Sequence, residues 1–170
     1  MSWYYQEVAG GPIAYGHGSQ FTVFDLLKDI DVSGKDCLDI RATDGLVSFG
    51  LERLGARTVV ATDRVRGRGF SIAHELLDSK VELLQPVEIS TLASAVGDKR
   101  FDLIVCAGVI YHMLNPLDAF LTCRALSKPK DLLIIESAMN FSAGLRALIL
   151  NSETEDSMKA AHIGPQRRRP

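Results

Sequence analysis

No stretch of the 170-residue chain approaches the roughly twenty consecutive apolar residues that a bilayer-spanning helix needs, so none of it is expected to cross a membrane. The first ten residues also lack a charged segment followed by an apolar one, so no secretory signal is expected and the location reads as cytoplasmic. Cysteine is scarce. Cys37, Cys106 and Cys123 are odd in number and far apart, and two of them sit in strand-like apolar runs, which favours buried, reduced thiols over disulfides. No Cys-x-x-Cys or His-x-x-x-His spacing occurs, so no metal site is expected. There is no excess of positive charge either. A net charge of -2 gives no global field to recruit nucleic acid or a membrane surface, and DNA is not an expected partner.

What is present is an ordinary globular composition, with 46% hydrophobic and 24% charged residues in a length that suits one domain. Residues 1–18 are rich in glycine and read as an irregular lead-in. A helical pattern follows from Ser19, with Phe21, Phe24, Leu27 and Ile30 on one face. Apolar strands at 37–40, 58–62, 81–84, 101–106 and 132–136 then alternate with helical patterns. The strands are continuously apolar rather than alternating, which implies a parallel sheet covered on both faces. With right-handed crossovers the fold is an α/β, doubly wound parallel sheet of about five strands over residues 19–150, including one more helix at 141–150. Residues 151–170 hold few large apolar groups, end in three arginines, and read as a disordered tail.

In such a sheet ligands bind beyond the carboxyl ends of the strands, where strand order reverses. The first strand delivers the loop Asp39-Ile40-Arg41-Ala42-Thr43-Asp44-Gly45, and Asp63 closes the second strand 18 residues after Gly45. An acid there suits the two hydroxyls of a ribose, although a turn or helix cap before Arg64 would also explain it. A nicotinamide oxidoreductase would need Gly-x-Gly-x-x-Gly after the first strand, and a hydrolase of the nucleophile-elbow type Gly-x-Ser-x-Gly; neither occurs.

Asp39-Ile40-x-x-x-Asp44-Gly45, Asp63 and Phe101-Asp102-Leu103-Ile104 together resemble the successive motifs of class I S-adenosylmethionine-dependent methyltransferases, whose fold is Rossmann-like. The run from Ala107 to Asp118 resembles the Gly-Val-Leu-Tyr-His-x-x-x-Pro-Leu stretch of a subgroup related to the tRNA wobble-uridine modifying (CmoB-like) enzymes, and Trp3-Tyr4-Tyr5 resembles their lead-in. The resemblance implies S-adenosylmethionine as cofactor and an RNA or small-molecule methyl acceptor. It places Asp39, Arg41, Asp44 and Gly45 beneath the methionine end, Asp63 at the ribose, Glu88 and Ile89 beside the adenine, and Cys106, Ala107 and Gly108 under the sulfonium. Tyr111 and His112 would stand near the transferable methyl, Tyr111 as a pocket wall. His112 is either a base or a hydrogen-bonding partner of its own loop. His17, His74 and His162 have no context that argues for chemistry, and Asp102 is expected to support the neighbouring loop.

The pattern breaks in three places. Arg41 stands where the motif has its first glycine, and it either pairs with the cofactor's carboxylate or fills the site. Met113-Leu114 replaces the arginines of the wobble-uridine enzymes. Nothing after Leu150 reads as a strand, so the last strands of the family fold are expected to be missing. The apolar edge at 132–135 would then lean toward a homodimer. These breaks keep a second reading open, a degenerate methyltransferase-like module or accessory subunit without catalysis.

Overall fold

The computed structural model describes residues 20–138. The lead-in, the helix expected at 141–150 and the tail lie outside the described residues. Helix α1 spans Gln20–Leu27, followed by β1 (Asp36–Ile40), α2 (Leu46–Arg53), β2 (Thr58–Thr62), α3 (Arg68–Leu76) and β3 (Glu82–Leu84). Then come α4 (Leu92–Val96), β4 (Phe101–Ala107), α5 (Leu117–Leu126) and β5 (Ser127–Glu136). All neighbouring strands pair in parallel, in the order β3-β2-β1-β4-β5. This is the doubly wound sheet that the continuous apolar runs imply.

The strand period of two sorts those runs into two cores. Cys37, Val59, Ala61, Leu103, Val105 and Ala107 face one side, where Val23 and Leu27 of α1, Val47 and Leu51 of α2 and Phe70 and Ala73 of α3 pack on them. Leu38, Ile40, Val60, Ile104 and Cys106 face the other side, against Leu92 and Val96 of α4 and Cys123 and Leu126 of α5. Each fully buried Leu, Val or Phe contributes about 1.5–3 kcal/mol relative to exposure, so the two-sided sheet is the main source of stability. Among the described residues no helix is long and apolar enough to cross a membrane.

The fifth strand starts earlier than its apolar residues suggest. It begins at Ser127, directly after α5, and its register against β4 shifts between the Phe101–Ser127 and Leu103–Leu132 pairs. Residues 128–131 are Lys-Pro-Lys-Asp and have no strand signature; ion pairing anchors them instead. Lys128 Nζ lies 2.6 Å from Asp36 and 2.7 Å from Asp102, and Asp102 also accepts the Asp36 amide at 2.9 Å. Arg57 and Thr58 donate to the same Asp36 carboxylate. Asp102 therefore works at the amino edge of the sheet, where it ties the starts of β1, β4 and β5 together. At the far side β5 is the outer strand of the described sheet, with Leu132 exposed and Leu133 and Ile135 half-buried.

Candidate active site at the strand-order reversal

Strand order reverses between β1 and β4, and their register fixes what meets there. Ile40 pairs with Cys106, so Arg41 and Gly108 leave the sheet side by side. The β1–α2 turn is held by its own backbone. The amides of Arg41 and Ala42 both donate to the Thr62 carbonyl, at 2.8 and 2.9 Å, and the Gly45 amide donates to the Ala42 carbonyl at 2.8 Å. Arg41, Thr43 and Gly45 all take left-handed conformations, with φ of 67°, 51° and 91°. Glycine adopts that region without strain, whereas arginine and above all β-branched threonine do not. Only the third of the three positions is glycine. At Gly45 a side chain is also excluded by space, since a Cβ would overlap the Phe49 ring.

The Arg41 side chain crosses the reversal point. Its guanidinium Nη1 donates to the Gly108 carbonyl, bridging the carboxyl ends of β1 and β4. The Tyr111 hydroxyl approaches the same spot, 3.4 Å from where a Cβ on Gly108 would stand, with Arg41 Nη1 at 3.6 Å. Tyr111 and His112 lie in a single 3-10 turn, Ile110–His112, their rings 4.2 Å apart between centroids and both residues exposed. Arg41, Gly108 and Tyr111 are thus brought together, with His112 beside Tyr111.

The acids of the site are turned inward. Asp63 is only 6% exposed, and its two carboxylate oxygens accept the amides of Thr43 and Val65, each at 2.9 Å. That is the turn-closing arrangement, and it couples the ends of β1 and β2. Asp44 presents its carboxylate to Gly69 in the first turn of α3, so closely that a Cβ on Gly69 would overlap it. A carboxylate there complements the partial positive charge of the helix N-terminus. Asp39 lies deeper, 2% exposed, and accepts the Ser48 hydroxyl at 2.5 Å. Burial pushes its carboxyl up to about 7 against the opposing Ser48 hydrogen bond, and the charge of Asp63 adds to the rise.

The remaining sequence candidates sit further out or further in. Glu88 is exposed at the start of the 3-10 turn Ile89–Thr91, and Ile89 is half-buried against the second core. The turn's approach to the site is fixed by the Val87 amide, which donates to the Asp63 carbonyl at 2.8 Å. Ala107 is buried in the first core and Cys106 in the second. The hydrogen bond to Cys123, with burial behind it, holds the Cys106 thiol well above the ordinary thiol range, so it is an inert core group. Sequence reasoning missed Ser48, Thr43 and Gly69. A signal existed for Thr43, which lies midway between Arg41 and Gly45 at the same two-residue step; none existed for the other two.

No model of a known protein family matches the chain. Ubiquinone biosynthesis O-methyltransferase of Cereibacter sphaeroides is 29% identical over 110 residues, covering 65% of this chain and 44% of that protein. A tRNA U34 carboxymethyltransferase of Colwellia psychrerythraea is 31% identical over 110 residues, covering 63% of this chain and 33% of that protein. The chain spans less than half the length of these curated relatives. Among solved structures, the Burkholderia thailandensis 1,6-didemethyltoxoflavin-N1-methyltransferase with bound S-adenosylhomocysteine superposes with a TM-score of 0.57 at 21% identity, covering 67% of this chain and 49% of the other. The fold is the Rossmann-like fold of the methyltransferase structures it superposes on, and the sequence relatives are an O-methyltransferase and a tRNA carboxymethyltransferase.

Proposed function

We propose that this chain is an S-adenosylmethionine-dependent methyltransferase domain that binds its cofactor between the carboxyl ends of β1 and β4. The single observation that carries the reading is the β1–α2 turn. It keeps three left-handed residues at two-residue steps, at the reversal point where doubly wound sheets take their ligands. Fold alone would not carry a function, so the support comes from that turn together with the methyltransferase relatives.

The backbone suits the group and one side chain does not. The turn and Gly108 offer close main-chain approach, but the guanidinium of Arg41 spans the gap and must leave Gly108 before a ligand can sit there. Arginine is flexible, and once freed it can pair with a carboxylate such as the cofactor's methionine end. The cofactor, when bound, supplies a methyl group on a cationic sulfonium that a nucleophile displaces in line. The chain has only to hold, orient and deprotonate. Asp63 and the turn would hold the adenosyl group, and Tyr111 would wall the site. His112 is the base candidate at its mouth.

The acceptor is an RNA or a small molecule. The run around Tyr111 and the tRNA carboxymethyltransferase relative support the first, and the O-methyltransferase relatives the second. A second reading, a module that no longer binds cofactor, is favoured by Arg41 on Gly108 and by the two amides already held by Asp63. The position of β5 as the outer strand of the described sheet further supports a homodimer, which sedimentation at several concentrations would detect.

Calorimetric titration with S-adenosylmethionine and S-adenosylhomocysteine, with NAD as control, separates the two readings. Micromolar binding of the adenosyl ligands without NAD binding is the expected result. No binding to the folded protein would leave the non-catalytic module.

A further inference from the structure

The connection from β2 to α3 carries Arg64 and Arg66, and α3 opens on Arg68, three arginines within five residues of a chain whose net charge is -2. All three are exposed, and among the described residues none of their guanidinium groups takes part in an ion pair or hydrogen bond. Neither flanking acid in sequence pairs with them: Asp63 is buried on the amides of Thr43 and Val65, and Glu75 forms no ion pair among the described residues. Arg57, Lys99 and Lys128 meet carboxylates, whereas this loop is distinguished by its spacing, three exposed arginines at every second position. The hydrogen bond from the Val65 amide to Asp63 also fixes where the arginine loop starts. That start is on the same edge of the sheet as Arg41 and Gly108.

We propose that Arg64, Arg66 and Arg68 form a rim that grips the phosphodiester backbone of an RNA strand beside the crevice, a proposal that rests on the methyltransferase reading and names its acceptor class. Guanidinium groups bind phosphate through paired N–H donors, and such contacts position a nucleic acid without reading its sequence. A phosphorylated small molecule would call for a concave pocket closing around one phosphate. Three exposed cations at alternate positions across the loop and the start of α3 instead match a polymer that repeats its charge.

The test is fluorescence anisotropy with a labelled single-stranded RNA, cofactor absent, over a range of salt concentrations. The native protein is expected to bind with an affinity that falls with salt. Replacing the three arginines together (Arg64→Gln, Arg66→Gln, Arg68→Gln) is expected to weaken binding at least tenfold and to reduce the log–log salt slope by about 2, at roughly 0.7 per lost phosphate contact. A matching variant with Arg167, Arg168 and Arg169 changed to Gln is expected to retain the slope. Retained binding in the loop variant would overturn the proposal, as would loss in the tail variant alone or equal displacement of the RNA by poly-glutamate. Displacement by a mononucleotide at the same phosphate concentration would move the site to a small phosphorylated ligand, and so would also overturn it. Thermal melting and adenosyl-ligand calorimetry on the same variants keep the two readings apart. The rim can fail while the cofactor binds, and the cofactor can fail while the rim holds RNA.

Discussion

Replacing Arg41 with glycine tests the site most directly, because the structure gives two opposing contributions for the same residue. In the left-handed region a non-glycine residue costs about 1–2 kcal/mol, and Arg41→Gly removes that strain. The same change deletes the charge-assisted hydrogen bond to the Gly108 carbonyl, roughly 1.5–3 kcal/mol when well formed. Because Arg41 is half-buried and water can replace part of that bond, the lower end applies, and stability should move by no more than about 1 kcal/mol. Ligand affinity gives the clearer signal: if binding requires the guanidinium to leave Gly108, deleting it in advance returns the same lower-end value of about 1.5 kcal/mol, or about ten-fold in Kd.

Arg41→Ala separates the two effects. It opens the crevice as glycine does, but retains a side chain in a left-handed position. It should match Arg41→Gly in affinity for S-adenosylhomocysteine while unfolding at a stability about 1 kcal/mol lower. Urea denaturation and calorimetry on the three proteins supply both numbers. The reasoning fails if Arg41→Gly is folded and binds the adenosyl ligand no more tightly than the native chain. It also fails if native affinity is strong and drops on substitution, since the arginine would then be holding the ligand.

Thr43→Gly removes a β-branched residue from a left-handed position and should raise stability by about 1 kcal/mol in urea denaturation, with the Thr43 amide still free to reach Asp63. Gly69→Ala forces a Cβ into the Asp44 carboxylate and should cost about 1–3 kcal/mol, most of it recovered in the double variant with Asp44→Ala. Asp39 titrates at about 7 in the folded chain and near 4 when unfolded, so the folded state holds the extra proton and stability should decline as pH rises from about 4 to 7. Asp39→Asn should abolish that decline and gain on the order of 1–4 kcal/mol at pH 8. Asp36 and Asp102 have the opposite sign: Arg57 first and then Lys128 hold Asp36, and Lys128 holds Asp102, below the usual carboxylate range, so their contribution is full above about pH 4 and is lost as pH falls. Lys128→Met should shrink the acid-side loss measured by denaturation at pH 2–5.

The sheet was legible in the sequence wherever both faces of a strand are buried, because burial on both sides writes an unbroken apolar run such as Leu103-Ile104-Val105-Cys106. The first half of β5 escaped that logic. Its residues are held by Lys128 reaching Asp36 and Asp102, partners 92 and 26 positions away, and tertiary charge pairing leaves no local pattern. The meeting of the loops after β1 and β4 was legible, since strand order must reverse between them. The wiring of the site was not. Whether Asp63 faces a ligand or two amides, and whether Arg41 lies open or on Gly108, depends on side-chain direction across 20 and 67 positions, which spacing does not specify. The three left-handed positions could have been read from the two-residue steps, had Thr43 been treated like its neighbours.

The turn after β1 keeps its path although two of its three left-handed positions are not glycine, and the reason bears on the crevice beside it. Four bonds that hold the turn have backbone donors: the Arg41 and Ala42 amides on Thr62, Gly45 on Ala42, and the Thr43 amide on the Asp63 carboxylate. None of these donors depends on the side chain at position 41 or 43. Under the proposed function, the side chains at 41 and 43 add strain and bulk to that backbone, and the Arg41 guanidinium decides between an open and a closed crevice. A site degraded in its backbone would need the turn rebuilt; this one needs only the guanidinium to move or to be removed. Activity gated by Arg41 and activity lost to Arg41 differ only in how easily that bond to Gly108 is broken, so the affinity of the native chain relative to Arg41→Gly measures where this protein stands between them.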